Sequence, residues 1–441
     1  MKRDLVSVDD LSNAEIVALF RTVDEMIARP REWTHLAPGT ILASLFYEPS
    51  TRTRLSFEAA MHRLGGGVVS AADMRSSSAS KGESLADTVR VVGGAYADLL
   101  VLRHPAEGAA RVAARYASVP VVNAGDGSHE HPTQTICDLY SLHAEKGGIE
   151  GLDVVLSGDL KYSRTVHSFA YALARFRANV VLIPHRGFEM PEYVIRRLRE
   201  RCGNEPQRLE ADDFRSIAGS ADAVYFTPQR PHQLSLFTEA DRVAISKLDA
   251  LYVTRPQRER FLEGESAPSV RIDREALSGA RFKDTFVMHP LPRVNEISYD
   301  LDQDPRSLYF KQAARGVPVR MALLAFLLGR VDLGAAPPPP ELSSERVRGR
   351  LGMGCPNATC ITTLESNYLE PEFLVDSRAP FAASCAFCET SVVPVLVGCA
   401  STRVFHRHNS SDVRRIKAEH LVLFASEEQA RGSGFAAAAR P

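Results

Sequence analysis

"FYEPSTRTRLSFE" occupies residues 46–58. An apolar run, "ILASLF" (41–46), leads into it, and a helix-compatible stretch, "LSFEAAM" (55–61), leaves it. Between the two, Ser50, Thr51, Arg52, Thr53 and Arg54 place five side-chain donors in one strand-to-helix turn. In an open α/β sheet, ligands sit beyond the carboxyl ends of the strands. A helix starting there offers unpaired backbone N–H groups and a partial positive charge. A single Ser or Arg in such a turn reads as an ordinary cap or a solvated cation. Five donors in succession point to an anion, and to phosphate in particular.

Outward from this turn the same pattern repeats. Ser12 and Glu15 form a capping-box spacing ahead of an amphipathic run. The runs "VRVVGGAYADLLVL" (89–102) and "VPVVNA" (119–124) read as strands separated by helices. A second round opens at "GLDVVLSGD" (151–159) and continues through "ANVVLIP" (178–184), "DAVYFT" (222–227), "DALYVT" (249–254) and "FVMHP" (286–290). Strands alternating with helices predict two α/β domains, each with a mainly parallel sheet, and a cleft between them. The expected boundaries are 1–150 and 151–306, with a terminal helix over 307–331 completing the first domain. "DLGAAPPPPEL" (332–342) reads as a linker. A small, β-rich, cysteine-bearing domain is expected over 343–425, and the biased tail 426–441 is expected to be disordered.

Donors recur at strand ends. Arg103 follows "ADLLVL"; His131 and Gln134 open a helix with Pro132 in its first turn; Lys161 and Arg164 follow "VVLSGD"; Arg255, Gln257 and Arg260 follow "LYVT". Taken singly, each has a plain structural reading, such as a capping histidine or an arginine after a strand. The composition narrows the anion class. The formal net charge is −1 with 24% charged residues, and no broad basic face suits a nucleic acid. The arginines therefore address small anions. No apolar stretch is long enough to span a bilayer, and the N-terminus is too charged for a secretory signal, so a cytoplasmic protein is expected.

Five ordered motifs carry a resemblance: "STRTR" (50–54), "HPTQ" (131–134), "GDLKYSRTVHS" (158–168), "TRPQRER" (254–260) and "HPLPRVNEI" (289–297). Over roughly residues 1–332 the chain resembles the catalytic chain of aspartate carbamoyltransferase. Pro290 stands where ornithine carbamoyltransferases typically carry the cysteine of "HCLP". The resemblance implies transfer of a carbamoyl group from carbamoyl phosphate to L-aspartate in pyrimidine biosynthesis. It implies that Ser50, Thr51, Arg52, Thr53 and Arg103 hold the phosphate. Arg103, Thr53 and His131 would polarise the carbonyl, Gln134 would hold the carbamoyl amide, and the Leu291–Pro292 backbone would touch both substrates. Arg164, Arg255 and Gln257 would bind the aspartate carboxylates. Ser77 and Lys81 would reach the site of a neighbouring subunit in a homotrimer, and Glu48 would brace domain closure between Arg164 and Arg260. Departures from the family pattern are an added stretch near 228–248, Pro256 within the aspartate loop, Asn295 for the usual Asp, and Ser80 for one of two lysines. A transcarbamylase with another amine acceptor, or a non-catalytic scaffold, are the alternatives.

Cys355, Cys360, Cys385 and Cys388 form two closely spaced pairs, "CPNATC" and "CAFC". In a reducing compartment they suit a closed tetrahedral zinc site, and metal substitutes for core in a module of this size. The module resembles the zinc domain of the aspartate carbamoyltransferase regulatory chain, without that chain's nucleotide-binding domain. The resemblance implies a role in assembly, in which the module would pair trimers.

Overall fold

The structure is a computed structural model, and it describes residues 2–72, 81–203, 206–210, 214–227, 239–255, 272–294, 296–334, 345–349 and 351–438. The first sheet is built from β1 (Ile41–Phe46), β2 (Gly67–Ala71), β3 (Leu99–His104) and β4 (Val121–Asp126), in the order β2-β1-β3-β4, all parallel. It is flanked by α1 (Asn13–Ala28), α2 (Thr51–Arg63), α3 (Leu85–Val91), α4 (Ala109–Tyr116) and α5 (Pro132–Lys146). Strands β1, β3 and β4 are buried along nearly their whole length and so on both faces, as a helix-covered parallel sheet requires. Ser12 and Glu15 close the expected capping box at α1. One expectation is corrected here. Val89 and Val91 belong to α3, and a π-turn follows at Val92–Tyr96, so the strand begins only at Leu99. A β-branched run is compatible with either state, and helix packing against α4 decides it.

The second sheet contains β5 (Asp153–Gly158), β6 (Asn179–Pro184), β7 (Gln207–Arg208), β8 (Ala223–Thr227), β9 (Ala250–Val253) and β10 (Phe286–Met288). Its order is β10-β9-β8-β5-β6-β7, again parallel throughout. Helices α6 (Arg164–Arg175), α7 (Glu192–Cys202), α8 (Phe214–Ile217) and α9 (Glu239–Ala244) accompany it. Helix α10 (Tyr309–Leu327) then returns to pack on α1, α2 and α5.

The last region carries two small sheets. One runs β11 (Arg346–Arg348), β12 (Glu372–Arg378), β13 (Phe381–Cys385) and β14 (Ser391–Val392), antiparallel throughout, with the short α11 (Ile361–Leu364) beside it. The other has the order β17-β15-β16-β18, from β15 (Leu396–Cys399), β16 (Val404–Arg407), β17 (Leu421–Phe424) and β18 (Ala436–Ala437). The expected disorder of 426–441 does not hold for the described residues 426–438. Helix α12 (Glu427–Gly432) is capped by Ser426, and Ala430 and Phe435 are buried against Phe424 and Leu396. A composition of small residues hid two apolar anchors that reach this core.

This region docks on its own chain. The Glu107 N–H donates to the Thr359 carbonyl (3.0 Å), and the Ile361 N–H donates to the Glu107 carbonyl (3.0 Å), so main chain joins main chain. Arg111 donates to the carbonyls of Ala386 and Phe387 (3.3 Å each). Gly108 lies so close that a Cβ there would sit 2.7 Å from the Phe387 backbone. On the other side, Arg196 of α7 pairs with Asp376 (2.6 Å). The module thus touches helices of both parallel-sheet units.

Candidate functional site

In the first sheet strand order reverses between β1 and β3, and in the second between β5 and β8. Loops leaving such strands diverge and open a crevice at their carboxyl ends. Ser50 caps α2 in a non-helical conformation, and its side chain makes no capping hydrogen bond. Its side chain therefore leaves the first-turn N–H groups of α2 open to an anion. On the adjacent β3, Arg103 sits in register with Phe46. Its Nη1 donates to the Ala124 carbonyl (3.3 Å), and its Nε lies 3.1 Å from Glu48 Oε2.

Arg164, the first residue of α6, reaches across from the second unit. Its Nη2 donates to the same Glu48 oxygen (3.1 Å) and its Nη1 to the Gly127 carbonyl (2.8 Å). Gly125 makes this approach possible. Its φ is +113°, and a Cβ there would lie 2.9 Å from Arg164 Cζ. Arg255, just past β9, is close enough to repel both Arg52 and Arg103. The result is a cluster of guanidinium groups from both units. Burial, and next the Arg164 charge, push Arg103 down to about 9; Glu48 offsets this only in part. Burial and then Arg255 lower Arg52 as well. An anion placed here would relieve that mutual repulsion.

His131, the N-cap of α5, is buried. Its backbone N–H donates to Ser168 Oγ (3.1 Å), and Thr133 Oγ1 lies 3.5 Å from its Nδ1. Burial first, then Arg164, Arg103 and Arg320, hold its pKa well below the usual imidazole range. Held neutral in this way, the ring is able to donate a hydrogen bond without carrying a charge. Gln134 is fixed by donating from Nε2 to Asp138 Oδ1 (2.8 Å).

Asp138 escaped the sequence reading, although its i,i+4 spacing from Gln134 on a helix was a usable signal. It also accepts from Gln312 Nε2 (2.8 Å) and the Tyr252 hydroxyl (2.9 Å). Burial raises its carboxyl to about 7. Gln312 Oε1 in turn accepts the His289 N–H (2.9 Å), and His289 Nδ1 accepts the Leu291 N–H (2.8 Å). One carboxyl thus ties Gln134, α10 and β9 to the loop of Leu291 and Pro292. That loop carries a cis peptide, with Leu291 at φ 53°. Thr51 and Arg52 are exposed, Ser50 and Thr53 half-buried, and Lys81 exposed on its own chain.

Ser77, Gln257 and Arg260 lie outside the described residues, as do Pro256, Asn295 and most of the added stretch near 228–248. Glu48 was expected between Arg164 and Arg260. Among the described residues it pairs with Arg164 and with Arg103, the latter expected at the phosphate and the carbamoyl carbonyl and not at Glu48.

The four expected cysteines converge. Their sulfurs lie within 4.8 Å of one another, and all four residues are buried. Cys355 and Cys388 are 3.6 Å apart, and Cys360 and Cys385 3.9 Å. Tetrahedral Zn–S bonds of about 2.3 Å imply sulfur–sulfur edges of roughly 3.8 Å, so the cage fits a structural metal. A second set, His129, Glu130 and Glu389, also clusters. There Arg197 already lies 2.8 Å from Glu130 and 3.1 Å from Glu389, so guanidinium meets the charge.

Residues 3–144 match the family model described as aspartate/ornithine carbamoyltransferase, carbamoyl-P binding domain, and residues 228–327 match its Asp/Orn binding domain. Residues 345–393 match the aspartate carbamoyltransferase regulatory chain, metal binding domain. The chain is 45% identical over 332 residues to an aspartate carbamoyltransferase catalytic subunit of Clostridium botulinum, covering 74% of this chain and 98% of that protein. A catalytic subunit from Thermoplasma acidophilum is 43% identical, with the same coverage. Among solved structures, the catalytic subunit of M. jannaschii aspartate transcarbamoylase is similar at TM-score 0.59 and 41% identity, covering 74% of this chain and 98% of that one. The Trypanosoma cruzi enzyme in complex with N-(phosphonacetyl)-L-aspartic acid is similar at TM-score 0.58 and 35% identity, covering 73% and 94%.

Proposed function

This chain belongs to the aspartate/ornithine carbamoyltransferase family, and we propose that it transfers the carbamoyl group of carbamoyl phosphate to L-aspartate. The products are N-carbamoyl-L-aspartate and phosphate, a step of de novo pyrimidine synthesis in the cytoplasm. The observation that carries the reading is the convergence of Arg52, Arg103, Arg164 and Arg255, contributed by both sheets, with the Glu48 carboxylate between Arg103 and Arg164. A dianionic phosphate beside a dicarboxylate is the charge pattern that such a cluster accommodates.

The chemistry follows from position. Ser50, Thr51, Arg52, Thr53 and Arg103 hold the phosphate at the α2 N-terminus, while Arg164, Arg255 and Gln257 hold the two carboxylates of aspartate. The α-amine then attacks the carbonyl carbon. Negative charge grows on the carbonyl oxygen, where Arg103, Thr53 and the neutral His131 donate. Gln134, held by Asp138, orients the carbamoyl amide, and the Leu291–Pro292 backbone touches both substrates. The C–O bond to phosphate breaks, and a phosphate oxygen takes the amine proton. No protein nucleophile takes part; fixing two anions side by side supplies the acceleration. Ser77 and Lys81 act in the site of a neighbouring subunit, which makes the working unit a homotrimer, and the four cysteines hold a structural zinc.

The test is carbamoyl transfer from carbamoyl phosphate to a panel of amines. Aspartate should be the preferred acceptor, with ornithine inert. Preference for ornithine, or no transfer to any amine, would overturn the reading.

A further inference from the structure

The metal module also contacts the segment that bears Lys81. Ile361 follows the thiol Cys360 directly, and the Glu365 N–H donates to the Ile361 carbonyl (2.8 Å). Glu365 therefore sits one turn from the metal cage. Both of its carboxylate oxygens accept from the Leu85 N–H, each at 3.1 Å. Next to it, the Tyr368 hydroxyl donates to the Gly82 carbonyl (3.4 Å). Gly82 has φ +90° and nothing within 4 Å of a notional Cβ, so local packing does little to fix its conformation. Underneath, Leu85 and Val89 share one apolar cluster with Ile361 and Leu369 of the module, and with Tyr47 beside Glu48. The segment 82–85 is thus gripped from the module side by polar and apolar contacts together.

We propose that Glu365 and Tyr368 are positioning residues for carbamoyl transfer: by holding residues 82–85 they set where Lys81 stands, and the metal cage thereby acts on the reaction. This rests on the reading of Lys81 as a side chain that serves a neighbouring subunit's site. The module is then a brace for a catalytic loop as well as an assembly device. Misplacing a positioned group by about 1 Å is enough to cost up to ~10²-fold in rate, so a brace at this distance from chemistry has measurable leverage.

The experiment is a double-mutant cycle on the full-length, metal-replete protein. It compares Lys81→Gln, Glu365→Ala, their combination, Glu365→Gln and Tyr368→Phe. Zinc per chain and thermal melts are recorded beside kcat and the KM values for both substrates. Lys81→Gln should lower kcat/KM by ~10²-fold, and Glu365→Ala by ~10-fold in the same kinetic parameter. Glu365→Gln, which keeps one acceptor oxygen, should recover most of that loss. In the Lys81→Gln background, Glu365→Ala should have no further effect. An equal loss in both backgrounds would mean general structural damage and would overturn the proposal, as would wild-type activity in Glu365→Ala. Wild-type activity in Lys81→Gln would instead strike down the reading of Lys81, in an arm that leaves the module untouched. Should Glu365→Ala fail to fold or to retain zinc, Tyr368→Phe removes only a hydroxyl and runs through the same cycle, with an expected loss of ~3-fold.

Discussion

Arg103 in the cleft and Arg197 under the module are both largely buried guanidinium groups, and their surroundings are opposite in sign. Arg103 faces other arginines with one shared carboxylate, and burial together with Arg164 pushes its pKa down to about 9. Around Arg197 burial works in the same direction, but Asp9, Glu389 and Glu130 outweigh it and hold the pKa well above the usual value. Arg197 also lies over the Tyr171 ring at 3.9 Å, and its Nη2 donates to Ser7 Oγ. Five parts of the chain meet there: the N-terminal turn, the loop before α5, α6, α7, and the residue after Cys388. The cleft is an electrostatically frustrated cluster, suited to taking up anions. The seam is a satisfied one, suited to holding parts together. Counting buried arginines would not separate them; the balance of carboxylates around each does.

Substitutions should divide along this line. The largest effect belongs to the cleft. Arg52→Ala should lower turnover by ~10²-fold or more with an unchanged melting temperature, read from product formation and calorimetry on one preparation. A large loss of stability there would blur the contrast. In the seam, Arg197→Met should behave conversely. Removing one partner from a buried ion cluster costs about 3–5 kcal/mol, seen as a lower denaturation midpoint, while the folded fraction keeps its turnover to within a few-fold.

Asp138 sharpens the comparison, because it is a hub whose charge burial opposes. Its carboxyl, raised by burial to about 7, is disfavoured as a charge in the folded state. Its cost to stability is absent below about pH 4, the ordinary Asp value, grows as pH rises, and levels off above pH 7. Asp138→Asn should flatten that slope in pH-dependent melts and keep activity, whereas Asp138→Ala should release Gln134 and lower kcat by ~10-fold. The smallest effect is at His129. Burial opposes its charge, but Asp126 (3.2 Å) and Glu389 (3.0 Å) raise its pKa well above the usual value. The stability it contributes is fully present below about pH 6.5 and is lost as pH rises through its folded value. His129→Gln should remove this fall from the melts, with ~1 kcal/mol or less in play at pH 6 to 7.

Much of the contrast could be read from the chain alone. Phosphate-side donors such as Ser50–Arg54 are contiguous, and Arg103, His131 and Arg164 each follow a strand, so local pattern and the rule for open sheets suffice. The four cysteines announce themselves by spacing. Neither the seam nor the Asp138 hub was legible, because their pairs are remote in sequence: Glu389 meets His129 and Arg197 in the one, and Asp138 meets Tyr252 and Gln312 in the other. No periodicity encodes such pairings. The stretch 89–96 and the tail beyond 426 misled for a related reason, since tertiary packing chose among states that local propensity left nearly equal.

The backbone bridge between Glu107 and Cys360 has a bearing on how a fused chain of this kind could arise. Peptide groups are common to every residue, so a join made through them tolerates drift in the side chains alongside it. Covalent linkage through residues 335–344 keeps the two faces together at an effective concentration of order millimolar. At that local concentration a contact too weak to persist between separate polypeptides is occupied nearly all the time, and selection is free to reshape its periphery.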